Sequence, residues 1–67
     1  MNFNGDELML MMLYNTGTRL GLMQELRLMQ CYLLPDETAL RELSEGVIEK
    51  LKLMTDAQFA EVEFPMD

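Results

Sequence analysis

The apolar half of this sequence is built from Leu and Met, and that choice constrains the fold more than any other feature. Thirteen Leu and eight Met stand against two Val and one Ile. Leu and Met lose little rotamer freedom in a helix, whereas strands favour β-branched and aromatic residues. The bias predicts an all-α fold before any periodicity is considered.

At 67 residues the chain makes one domain. A domain that small buries only about 60% of the surface its unfolded form exposes. Chains of this size usually draw on disulfides, metals, partners or dense helix packing. Cys31 is the only cysteine, so no disulfide can form within one chain. With no His and a single thiol a zinc shell cannot be assembled, and no metal or cofactor is expected. Dense apolar packing or a partner must supply the stability.

The first helix announces itself by its start. Asn4 predicts an N-cap, and Glu7 three residues on can complete a capping box. Asp6 and Glu7 also suit the positive end of the helix dipole. A helix is expected over about residues 5–15, apolar all round from Leu8 to Tyr14. Such a helix is either the hub of the bundle or keeps one side for a second chain. Asn15-Thr16-Gly17-Thr18 reads as a turn, with Thr16 or Thr18 capping a second helix over about residues 18–33. On it Leu22, Met23, Leu26, Met29 and Leu33 share one stripe, while Leu20, Leu28 and Cys31 fall nearly opposite. Neighbours on both sides would explain the two apolar faces. The alternative is that Leu20, Leu28 and Cys31 form an exposed docking strip.

Pro35 breaks the second helix, and Asp36 is expected to cap a third segment running from Glu37 to Leu43. Ser44 can cap anew and Gly46 weakens a helix, so a kink is expected near Ser44, with a separate helix over about residues 45–54. Leu40, Leu43, Val47, Leu51 and Met54 would nevertheless form one unbroken stripe. Thr55 and Asp56 repeat the entry chemistry and predict a last short helix over about residues 56–62. Pro65 ends any regularity, and a frayed tail is expected from about residue 63. The expected architecture is a single compact bundle of about four short helices.

The segments Asn2-Phe3-Asn4-Gly5-Asp6-Glu7-Leu8-Met9-Leu10-Met11 and Tyr14-Asn15-Thr16-Gly17-Thr18-Arg19 carry a family resemblance. So do Tyr32-Leu33 with Asp36-Glu37, and Met54-Thr55-Asp56-Ala57-Gln58-Phe59. The chain resembles the transposon-transfer-assisting proteins, small acidic proteins encoded in conjugative transposons of Gram-positive gut bacteria. The resemblance spans nearly the whole chain and rests on short, mostly structural motifs. It implies a compact helical fold and a binding role rather than catalysis. Leu20 and Leu28 are more apolar than the family pattern, a departure that falls on the outer face of the second helix.

Twelve acids face five bases, for a formal charge of −7. Arg19, Arg27, Arg41, Lys50 and Lys52 are scattered among acids, whereas phosphate backbones need clustered cations. Direct binding to nucleic acid or anionic lipid is therefore not expected. The apolar run at residues 8–13 follows acids rather than bases and is far short of the roughly 20 residues a bilayer span needs. Neither a membrane segment nor a targeting segment is expected. A lone thiol agrees with a reducing compartment, here taken as the cytoplasm.

Catalysis is not expected either. Nucleophilic chemistry needs an activated side chain beside a base, and Cys31 should lie buried or half-buried in a Leu/Met-rich helix. Glu42, Glu45 and Glu49 line one ridge, which is either a solvated acidic face or a contact for a basic partner. The expected partner is a protein, basic by preference, meeting Leu20, Leu28, Cys31, Glu42, Glu45 and Glu49. The chain itself would be a monomer or a weak homodimer. Two alternatives follow from the same residues: mimicry of DNA by the acids, and self-association through the spare face of the second helix.

Overall fold

The computed structural model describes residues 3–64. They form four helices, α1 (Gly5–Tyr14), α2 (Arg19–Cys31), α3 (Thr38–Leu53) and α4 (Asp56–Ala60), with no strand among the described residues. The all-α reading holds.

Helix α1 begins as its first residues dictate. The Asn4 side chain accepts from the Glu7 N–H at 2.8 Å, and the Glu7 carboxylate accepts from the Asn4 N–H at 2.9 Å. The uniform apolarity of α1 is used on one side only. Leu10 and Met11 are buried and Leu8 and Tyr14 half-buried, while Met9, Met12 and Leu13 stay exposed.

The turn into α2 depends on Gly17, whose φ of 99° lies in the left-handed region. Asn15 Oδ1 accepts from the Gly17 N–H at 2.9 Å, and the Thr18 hydroxyl then caps α2 by accepting from the Gly21 N–H at 3.0 Å. Leu22, Met23 and Leu26 are buried, and Met29 packs against the same core. Helix α2 closes at Cys31, slightly earlier than expected, as the Tyr32 N–H turns back to Met29 and Gln30.

Two expectations about the third helix are corrected. There is no second start near Ser44; α3 is one helix of 16 residues. Ser44 is fully buried in its middle, where its hydroxyl donates to the Arg41 carbonyl at 2.9 Å and accepts from Gln30 Nε2 at 2.8 Å. A Ser inside a helix can bond back along it without ending it, and a buried contact with α2 occupies this one. The continuous stripe of Val47, Leu51 and Met54, with Leu40 and Leu43 packed beside it, decides the matter. Nor does Asp36 cap the helix. The N-cap is Glu37, without a side-chain cap bond. Its carboxylate instead accepts from the Leu34 N–H at 3.0 Å, closing the turn that holds Pro35 and Asp36.

Helix α4 starts as predicted, with Thr55 and Gln58 exchanging capping-box bonds at 2.9 and 3.1 Å. It ends at Ala60, since the Val62 N–H bonds to the Phe59 carbonyl. The three longer helices pack against one another around Leu10, Met11, Leu22, Met23, Leu26, Val47, Ile48, Leu51 and Met54. Arg19 fastens α4 to them: Nη1 donates to the Leu51 carbonyl at 2.8 Å and Nε to Asp56 at 2.9 Å. That carbonyl belongs to the last turn of α3, where no intrahelical partner is available. Val62 and Phe64 pack against the core. Residues 65–67 of the tail, where fraying was expected, lie outside the described residues.

Candidate functional site

Helix α2 meets α1 and α3 through a single face, and this leaves its other face to solvent. At 100° per residue Leu20 and Cys31 lie about 20° apart, and Leu28 about 80° from Leu20. Leu20 is 59% and Leu28 52% exposed. Cys31 is exposed as well, with its thiol 3.5 Å from the Arg27 carbonyl. The expectation of a buried or half-buried thiol is thus corrected, and so is that of neighbours on both sides of α2. The physical reason is the same for both: α1 and α3 sit on the Leu22–Leu26 side together. Chain exit from α2 extends the apolar surface. Tyr32 is 78% and Leu34 60% exposed.

The acids come from the outer side of α3. Glu42, Glu45 and Glu49 are all exposed and fall within about 60° of arc. They share an open groove of about 500 Å³ between α2 and α3 with Arg27, Gln30, Gly46, Ile48 and Lys52. The ridge is therefore not uniformly negative. Glu49 pairs with Lys52 at 3.5 Å, an exposed pair of little energetic weight. Arg27 stands on the α2 wall between this groove and the Leu20–Cys31 strip. The structure thus brings the acids together with one another and with Arg27, which also sits on the same helix as the apolar strip.

Leu20 has a second environment. With Phe59, Val62 and Phe64 it lines a groove of about 630 Å³ at the start of α2, bounded by Thr18, Arg19 and Asp56. Sequence reasoning did not single out Tyr32, Leu34 or this groove. Aromatic and aliphatic residues flanking Pro35 were the available signal for the first two.

The most constrained ionisable group lies elsewhere. Glu7 is 5% exposed, and burial pushes its carboxyl pKa up. The hydrogen bond and charge of Lys50 and the Asn4 N–H outweigh that, holding it below the ordinary value. Lys50 reaches it at 2.6 Å and lies 5.4 Å from the centre of the Phe3 ring. These bonds fasten α1 to α3, with Glu7 Oε1 accepting from both Asn4 and Lys50. Among the described residues no group of three or more His, Cys, Asp or Glu side chains is placed to hold a metal ion. No helix among them is long and apolar enough to cross a membrane.

A family model described as "Putative transposon-transfer assisting protein" matches residues 3–65. Neither a curated protein nor a solved structure matches the chain.

Proposed function

This chain belongs to the transposon-transfer assisting protein family, and from that premise we propose that it serves transfer of a mobile element by binding another protein, not by catalysing a step. The observation that carries this reading is the exposure of Leu20, Leu28 and Cys31 on α2, whose Arg27 shares a groove with the exposed carboxylates of Glu42, Glu45 and Glu49. Apolar surface anchors a partner, while charge steers it and sets orientation. The overall charge of −7 suits a basic protein of the transfer machinery, met in the cytoplasm and without a cofactor. Arg27 and Lys52, interleaved with the acids, weigh against mimicry of a nucleic acid.

The test is capture from cells carrying the element, comparing the native chain with a Leu20→Ser, Leu28→Ser double variant. Both side chains are more than half exposed, so the variant should keep its circular dichroism. A protein encoded by the element should be retained by the native chain and lost with the variant. Equal recovery by both, or nothing above background at low and moderate salt, sinks the reading. Sedimentation at several concentrations separates the rival in which the strip pairs with a second copy.

A further inference from the structure

We propose a second docking groove, at the ends of α3 and α4, that takes an apolar side chain flanked by Lys or Arg in a segment of a partner protein. The groove encloses about 710 Å³ and is lined by Phe3, Leu8, Leu53, Met54, Gln58, Glu61, Val62 and Glu63. It shares no residue with the α2 strip or the α3 ridge, and so goes beyond the function proposed above.

Its floor and its lip ask for different things. Phe3, Leu8 and Val62 are half-buried and Met54 is buried, which makes an apolar floor. Leu53 projects beside them at 73% exposure. Glu61 and Glu63 are exposed at the lip, and neither has an ion pair among the described residues. Lys50 lies over the Phe3 ring but is already paired with Glu7.

The end of α3 adds nothing to that sign, because Arg19 already donates to the Leu51 carbonyl and Lys50 and Lys52 stand in the last turn. The two carboxylates at the lip therefore supply the charge beside the apolar floor. That complementarity selects an anchor with positive neighbours and rejects one with negative neighbours.

The test is titration of the isotope-labelled full chain with two synthetic peptides, Lys-Lys-Leu-Phe-Lys-Lys and Glu-Glu-Leu-Phe-Glu-Glu, followed by amide chemical shifts. The basic peptide should move Leu8, Leu53, Gln58, Glu61 and Val62, and weaken with added salt; the acidic one should not bind. A Glu61→Lys, Glu63→Lys double variant and a Leu53→Ala variant alter only exposed side chains, and unchanged dichroism confirms their fold. Each should weaken the basic peptide by about fivefold or more. The proposal is overturned by absence of binding, by equal binding of the acidic peptide, by unchanged affinity in the variants, or by shifts centred on Glu42, Glu45 and Glu49.

Discussion

The Glu7 carboxylate and the Lys50 ammonium, 43 positions apart in sequence, meet at 2.6 Å and join the first turn of α1 to α3. The same carboxylate oxygen also closes the capping box with Asn4, so one side chain both starts a helix and docks it.

This arrangement sets an acid limit on stability. The folded Glu7 pKa lies below the ordinary 4.5. Its contribution is therefore complete above that value and is lost as pH falls through the lower folded one. Glu7→Gln keeps a residue able to complete the capping box but removes the charge. It should cost about 1–2 kcal/mol at neutral pH. Urea unfolding of both proteins at pH 7 and pH 3 checks this, since the gap between them should shrink in acid.

Two glycines should respond to alanine with opposite sign. At Gly46 a Cβ would meet only Glu7 Oε2, at an ordinary 3.5 Å, inside an unbroken helix. Gly46→Ala should stabilise by about 0.5–1 kcal/mol. Gly17 has open space around it but a positive φ, so Gly17→Ala should destabilise by about 1 kcal/mol or more. Thermal melts of the pair decide both.

Ser44 is small because α2 passes close to it, not because a helix begins there. Ser44→Ala exchanges two hydrogen bonds, from Gln30 and to the Arg41 carbonyl, for better helix propensity and should change stability by less than about 1.5 kcal/mol. Ser44→Leu should cost about 1–3 kcal/mol by overpacking. Similar losses for the two variants in chemical denaturation would remove the steric account.

The exposed thiol gives a direct surface probe. Cys31 should react with a disulfide reagent in the native protein at a rate within about tenfold of the unfolded chain. Protection released only by denaturant would mean that the α2 strip is covered in solution.

What could be read from sequence, and what could not, divides by range. The starts of α1, α2 and α4 were legible because Asn4 with Glu7, Thr18, and Thr55 with Gln58 act within three residues. The Ser44 kink and the Asp36 cap were misread for the converse reason. Each has sound local chemistry, but the contact with Gln30 and the turn closed by Glu37 assign it another place. Whether α2 has neighbours on both sides or leaves Leu20, Leu28 and Cys31 bare stayed open in the sequence, since both sides are apolar and only the joint placement of α1 and α3 chooses the second. The spacing of Glu42, Glu45 and Glu49 puts them on one side of α3, where they are exposed. Their mixing with Arg27 needed the third dimension.

Arg19 touches the carbonyl end of α3 with one nitrogen and Asp56 with another. Helix α4 has five residues, none of them buried, so its hold on the bundle rests on that guanidinium and on Phe59. It should behave as a separate opening unit, whose amides exchange with solvent well before those of α2. Lys52, exposed in the last turn of α3, then becomes the natural place for trypsin to cut once α4 and that turn have opened together.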